Sequence, residues 1–199
     1  MTYDMPETIC FDLESANVEE TPFPHFSTTS VLPDNIIVDI FKWFQNTEIW
    51  NLVETDFYEQ YEFSMLHIEV PDHLKCLVSE ETMHYMEKKY VQQFKIKGFT
   101  LVDVVAHKLV NEQKIGIHND FINGEETHRL VLHINPYWKE ENGGLLLLFK
   151  SSRPEDMFKI IKPVDNTVFG FEISRNSHHA VSKIYDYTRY TIVYTFKQI

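Results

Sequence analysis

Apolar side chains recur at 36, 37, 40, 41 and 44 along DNIIVDIFKWFQN (34–46), which is the spacing of one helix face. Pro33-Asp34 opens that helix. A second helix is predicted over 79–96. Ser79 can cap it, Glu80 and Glu81 suit its positive end, and Met83, Met86, Tyr90, Val91 and Phe94 form its stripe. Gly98 is the expected stop signal. Residues 47–78 are mixed and aromatic and hold neither period. Residues 1–32, acidic and containing Pro, Thr and Ser, read as an extended or loosely docked lead-in.

From residue 100 the period changes to two. TLVDVVAHKLV, KIGIHND, HRLVLHINP, GLLLLF, MFKIIKP, NTVFGFE, HHAVSKI and TRYTIVYTF are eight short β-rich runs. Turn chemistry at Asn123-Gly124, Asn142-Gly143-Gly144, Pro163 and Asp165-Asn166 separates several of them. Strands at this spacing predict a small jelly-roll barrel, with the two helices ahead of it covering one outer face. The expected organisation is a single domain over 1–199: a lead-in at 1–32, a helical support region at 33–99 and a β core at 100–199.

Composition narrows this picture. The 199 residues are 43% hydrophobic, with 15 Phe and 10 Tyr, enough to build a packed interior. Cys10 and Cys76 are the only cysteines. A disulfide framework is not indicated, and a reducing compartment fits better. The N-terminal stretch has neither a basic n-region nor an apolar h-region, and GLLLLF (144–149) is far too short to span a bilayer. A cytoplasmic protein is the expectation. The net charge of −12 disfavours nucleic acid and anionic membranes as partners. It leaves room for an anionic ligand held by one buried Arg, and tilts the main substrate toward neutral or basic.

The candidate chemistry centres on His118-Asn119-Asp120. In a strand, residues i and i+2 share a face, so His118 and Asp120 are expected to project together. The third ligand has to come from elsewhere in the sheet, and His179 lies in a later strand. Two imidazoles and one carboxylate leave three positions of an octahedron open, the donor set of non-haem Fe(II) oxygenases. Zinc normally prefers a closed tetrahedron. Arg189 opens the last strand and Thr191 shares its face. A guanidinium and a hydroxyl there suit the distal carboxylate of 2-oxoglutarate.

Residues 100–197 resemble the prolyl-4-hydroxylase-like branch of the Fe(II)/2-oxoglutarate-dependent oxygenase superfamily. The residues that carry the resemblance are His118-Asn119-Asp120, HINPYWKEENGG (133–144), His179-Ala180-Val181 and Arg189-Tyr190-Thr191. It implies a mainly β fold with flanking helices, a double-stranded β-helix (jelly-roll or cupin-like) barrel packed against N-terminal helices. It implies Fe(II) on His118, Asp120 and His179, and 2-oxoglutarate held by Arg189 with O2 as oxidant. The expected reaction is hydroxylation of an unactivated C–H bond in a small molecule, amino acid or peptide, with release of succinate and CO2. Asp120 favours hydroxylation over halogenation, because halogenases of this chemistry lack the carboxylate. Many members carry a Tyr about ten residues before the first ligand, aimed at 2-oxoglutarate. Lys108 stands at about that place, with His107 beside it, and Lys108 is taken as the second co-substrate contact.

Two alternatives remain open on the sequence: a cupin-like metalloenzyme without 2-oxoglutarate, and a non-catalytic metal-binding module of the same fold. His178 and His179 must face opposite ways, and the His-x-Val spacing favours His179 as ligand. His133 and Asn135 share a face with Arg129 and Val131. They read as core residues, or as substrate contacts if that face lines the site. The loop FINGEETH (121–128) reads either as a lid for a basic substrate or as a solvated turn.

Overall fold

A computed structural model describes residues 9–199; the first eight residues of the expected lead-in lie outside the described residues. Eleven strands and two α-helices follow in the order β1 (His25–Thr29), α1 (Asp34–Asn46), β2 (Asn51–Glu54), β3 (Glu59–Ser64), α2 (Glu80–Phe94), β4 (Phe99–Leu109), β5 (Ile115–His118), β6 (His128–Ile134), β7 (Leu146–Phe149), β8 (Met157–Ile161), β9 (Thr167–Glu172), β10 (His179–Val181) and β11 (Arg189–Gln198). They form two antiparallel sheets. The larger has the order β1-β9-β6-β11-β4-β3-β2, the smaller β5-β10-β7-β8. Each of the eight β-rich runs from residue 100 onward overlaps one of the strands β4 to β11, with β4 starting one residue earlier and β11 running two residues further than expected.

The alternation along β11 sets the layering. Tyr190, Ile192, Tyr194 and Phe196 join a cluster with Ile37, Ile40 and Phe44 of α1 and Met86 and Tyr90 of α2. Arg189, Thr191, Val193 and Thr195 point the other way and line a cavity together with residues of the smaller sheet. Both faces are therefore covered, and β11 is buried from Arg189 to Phe196. The two sheets also share an apolar cluster: Leu109, Phe169 and Phe171 from one, Leu146, Leu148 and Val181 from the other. Burying side chains of this size contributes about 1.5–3 kcal/mol each.

Helix α1 spans the residues its apolar period predicts. Helix α2 begins at its Ser79 cap, whose hydroxyl accepts from the Thr82 amide, but it ends at Phe94, before the predicted 96. The stop is Lys95 in the left-handed region (φ 56°), and Gly98 lies beyond it, packed near Ile199.

Two further expectations change. The aromatic stretch within 47–78 is not helical support throughout: residues 51–64 form the β2–β3 hairpin, which extends the larger sheet beyond β4. The lead-in is not loosely docked. Strand β1 pairs with β9 at the opposite edge, and Phe11, Leu13, Phe23 and Phe26 are buried. Gly170 makes the β1 and α2 approach possible: a Cβ there would stand 2.3 Å from the Phe26 ring and 2.6 Å from the Tyr90 hydroxyl. Among the described residues, no helix is long and apolar enough to cross a membrane.

His128 shows what this packing costs a polar ring. It sits among Tyr90, Phe94 and Phe99, its Nδ1 meets the Thr127 hydroxyl at 3.0 Å, and its Nε2 has no partner. Burial pulls its pKa down to about 4. The unfolded chain takes up a proton near pH 6.5 while the folded ring stays neutral, so this stability is present above 6.5 and lost as pH falls toward 4. We expect His128→Leu to flatten that limb by up to about 3 kcal/mol, read as the difference between wild-type and variant denaturant unfolding at pH 7 and pH 4.

Candidate metal centre

Strands β5 and β10 pair in the smaller sheet with His118 directly opposite His179. Their ring centroids are 4.2 Å apart. Each ring is fixed by its backbone: His118 Nδ1 meets the Gly116 carbonyl at 2.9 Å, and His179 Nδ1 meets the Ser177 carbonyl at 2.7 Å. A carbonyl can only accept, so each Nδ1 carries the proton and each Nε2 presents a lone pair. This is the tautomer a metal-binding histidine needs.

Asp120 joins them by a route that strand periodicity does not describe. Strand β5 ends at His118, and Asp120 lies beyond it at φ 59°, so a left-handed turn rather than the pleat brings its carboxylate back. His118 Nε2 is 3.2 Å from Oδ1, and His179 Nε2 is 3.2 Å from Oδ2. One donor atom from each of the three residues falls within 4.8 Å of the others. Burial alone would raise the Asp120 carboxyl, but the Arg129 guanidinium beside it outweighs that effect and holds the group well below the usual carboxylate range. The buried Oδ2 has no hydrogen-bond partner. Two Nε2 lone pairs and an ionised, unpartnered oxygen converging in this way suit a divalent ion. His178, the neighbour of His179, does not line the cavity.

The cavity at these residues has a volume of about 450 Å³. Arg189 and Thr191 line it from β11, and Thr191 stands opposite His107 of β4 and His133 of β6. Arg189 is 4% exposed, yet none of the ion pairs among the described residues includes it. Its Nη2 approaches His133 Nδ1 at 3.5 Å, and its Nε is buried without a partner. Burial lowers its pKa to about 10, so the guanidinium remains charged at neutral pH. A buried cation in this condition is costly unless an anion pairs with it.

Lys108 is a correction. It pairs with Tyr190 in the register of β4 and β11, on the face away from the cavity. Its ammonium lies 4.8 Å from the Trp50 ring and 4.5 Å from the Tyr61 ring. Its neighbour His107 takes the inward position, because adjacent strand residues face opposite sides. Burial, with Arg129 and Arg189 nearby, pulls the His107 pKa down to about 3, so its ring is neutral.

Arg129 is the residue that sequence reading passed over. Its Nη1 donates to Asp120 Oδ1 at 2.8 Å and its Nη2 to Glu126 Oε2 at 2.6 Å. The signal was its place on one face with Val131 and His133. The unassigned hairpin also contributes: Phe57 lies over His118 at 4.9 Å between centroids, its carbonyl accepts from the Gly116 amide, and Tyr58, Gln60 and Glu62 line the cavity. Of the 121–128 loop, Ile122 and Glu126 reach the cavity wall. His133 and Asn135 do not line the cavity. Asn135 has a structural task, accepting from the Tyr190 amide and donating to the Pro163 carbonyl.

In sequence, residues 106–197 match the 2OG-Fe(II) oxygenase superfamily. No curated protein matches the chain. Among solved structures, a Pseudomonas putida prolyl-4-hydroxylase is similar with a TM-score of 0.70 at 15% identity, over 88% of this chain and 92% of that one. A Trichoplax adhaerens prolyl hydroxylase, in complex with a hypoxia inducible factor oxygen degradation domain peptide fragment, gives 0.71 at 13% identity, over 87% and 83%. The viral collagen prolyl hydroxylase of Paramecium Bursaria Chlorella virus-1, in its 2OG complex, gives 0.64 at 12%, over 88% and 96%. At these identities the likeness is one of fold.

The Gly143-Gly144 turn before β7 shapes the Arg189 end of the cavity. Trp138 Nε1 donates to the Gly143 carbonyl at 2.8 Å. Gly144 has φ +67°, and a Cβ there would stand 2.6 Å from Ile184 Cδ1 and 3.0 Å from Arg189 Cδ. Gly144→Ala is expected to cost about 1–3 kcal/mol, from positive-φ strain together with overpacking. Denaturant unfolding at pH 7 measures it, and an unchanged midpoint would contradict the reading of Gly144 as a close-approach position.

Proposed function

We propose that the chain hydroxylates an unactivated C–H bond of a small molecule, amino acid or peptide, a reading that starts from the match of residues 106–197 to the 2OG-Fe(II) oxygenase superfamily. The reading takes the two sheets as the double-stranded β-helix core, with α1 and α2 packed on its outer side, and the whole chain as one oxygenase domain. The superfamily's cofactor set is Fe(II), 2-oxoglutarate and O2. When bound, it supplies the oxidising equivalent that converts C–H to C–OH, with succinate and CO2 as co-products.

In this proposal His118, Asp120 and His179 hold the iron. Arg189 pairs with the far carboxylate of 2-oxoglutarate, and Thr191 adds a hydroxyl on the same face. The observation that carries the reading is the buried, unpaired guanidinium of Arg189 in the same cavity as the three metal-donor residues. A cupin-type metalloenzyme without a dicarboxylate co-substrate has no use for that charge. His107 stands where Lys108 was expected and can donate from its neutral ring. Apolar Val131, Leu146, Val181 and Val193 line the space around them and limit water.

Charge favours a neutral or cationic primary substrate. Fe(II) and the 2-oxoglutarate dianion cancel, and Arg129 and Arg189 offset Asp120 and Glu126. Glu62 and Asp103 are then the carboxylates left on the cavity wall. We place the protein in the cytoplasm, where Cys10 and Cys76 stay as free thiols.

The test is anaerobic addition of Fe(II) and 2-oxoglutarate, read by the weak visible band of the chelate, followed by succinate release across a panel of amino acids and peptides. We expect the band in wild type and its absence in His179→Ala. Arg189→Ala should weaken 2-oxoglutarate at least about ten-fold, since charge-assisted bonds to a carboxylate contribute about 1.5–3 kcal/mol each. Lys108→Met should leave that affinity within about two-fold, because a change below about 0.5 kcal/mol is typical of a side chain remote from the ligand. Wild-type protein with neither band nor succinate would sink the proposal.

A further inference from the structure

The two oxygens of Asp120 are not equivalent. Oδ1 accepts from Arg129 Nη1 at 2.8 Å, while the buried Oδ2 accepts from nothing. Arg129 is itself held from three sides. Its Nη2 donates to Glu126 Oε2 at 2.6 Å, its carbonyl accepts from the Tyr90 hydroxyl of α2 at 2.8 Å, and its β6 backbone is paired with β11 and β9. The ion pair joins the end of β5 to the start of β6, and the 121–128 loop between them brings Glu126 back onto the same guanidinium.

A carboxylate that accepts through one oxygen from a pinned guanidinium has one oxygen left for a metal. Placing a divalent cation on Oδ1 as well would bring it against the positive charge of Arg129, and at these separations in a buried site that repulsion is strong. We propose that Arg129 is a positioning residue that keeps Asp120 a one-oxygen ligand. The proposal rests on the oxygenase reading above. Its consequence is coordination number. Two imidazoles and one carboxylate oxygen leave three of six positions open, enough for a bidentate 2-oxo acid and O2. A carboxylate bound through both oxygens leaves two, and the 2-oxo acid then competes with Asp120 itself. Arg129 thus governs co-substrate chelation while touching neither co-substrate nor metal. Glu126 acts one step further back, by keeping the guanidinium aimed at Oδ1.

The test uses the full chain loaded with Co(II), whose visible spectrum reports coordination, titrated with 2-oxoglutarate. For Arg129→Met we expect Co(II) to bind as tightly as in wild type or more tightly, since a cation beside the ligand is gone. The Co(II) spectrum should change before any co-substrate is added. Half-saturation by 2-oxoglutarate should rise by about ten-fold, the low end of effects for groups that orient metal ligands. Arg129→Lys, which keeps a donor and a charge, should fall between the two, and Glu126→Gln should shift half-saturation the same way by a smaller factor.

An Arg129→Met protein with wild-type Co(II) spectrum and wild-type 2-oxoglutarate half-saturation overturns the proposal. So does a loss of Co(II) binding in Arg129→Met accompanied by unchanged half-saturation in Glu126→Gln, which would mark a purely structural ion pair. Wild-type protein that takes up no Co(II), or whose spectrum 2-oxoglutarate leaves unmoved, overturns the oxygenase reading and this inference with it. The wild-type arm therefore separates the two failures.

Discussion

The arrangement of the site depends on the pairing of β5 with β10. His118 and His179 are far apart in sequence, yet the antiparallel register sets them directly opposite each other. A slip of one residue would turn each ring to the other side of the sheet. Several features hold the register. β10 is flanked by β7 on its other edge, Val181 and Leu146 bury against the larger sheet, and the Ser177 hydroxyl donates to the Asn119 carbonyl at the ends of the two strands. Fixing the backbone there fixes the carbonyls of Gly116 and Ser177, and those set the tautomers. Metal readiness of the two imidazoles is thus a property of strand pairing.

Charge is arranged around this pair in two separated units. Near the histidines, Asp120, Arg129 and Glu126 form an ion-paired triplet of net charge −1, whose geometry leaves one carboxylate oxygen without a donor. At the other end, Arg189 is buried beside two uncharged groups, His133 and Thr191, with no acid near enough to pair. Burial pushes the neighbouring His133 ring well below its usual pKa, and the Arg189 charge adds to that effect, so His133 stays neutral. It therefore adds no second positive charge at that end. Each charge of the first unit has an ionic partner, and the charge of the second has none. That asymmetry is what favours the proposed dicarboxylate co-substrate over a simple metal-binding module, because a fold that had no use for an anion could replace Arg189 with an apolar residue and gain stability.

Much of this was legible in the chain because it follows from local rules. The β-rich runs located every strand from β4 to β11, and the residues singled out at 118, 120, 179 and 189 do come together in one cavity. What was not legible has physical reasons. Asp120 reaches the histidines through a left-handed turn, which a pattern of alternating faces cannot encode. Lys108 and His107 differ by one residue, and that single step decides which enters the cavity. Phe11, Leu13 and Phe26 had no period to announce them, because an extended segment packs its side chains by tertiary contact alone. The 47–64 stretch failed for a related reason: its aromatic residues serve two faces, Trp50 and Phe63 packing against Phe44 and Tyr190, Phe57 against His118.

The same stretch bears on where selectivity would reside. The segment matching the superfamily begins at residue 106. It contains the candidate metal donors, Arg189, Thr191, Arg129 and His107. The cavity wall drawn from outside it consists of Phe57, Tyr58, Gln60 and Glu62 from the β2–β3 hairpin and Val102, Asp103 and Val105 from the part of β4 before residue 106. Of these, Gln60 is held by its donation to Glu62, which leaves its buried Oε1 as an acceptor with no donor on the cavity side. A wall that offers acceptors and carboxylates selects for donors and cations, whereas the opposite end, built on Arg189, selects for a carboxylate. In the proposed function, the chemistry and the selection of its substrate are thus separated along the chain as well as in space. Similarity within 106–197 therefore bears on the chemistry, and the hairpin beneath Phe57 is where the identity of the hydroxylated molecule would be decided.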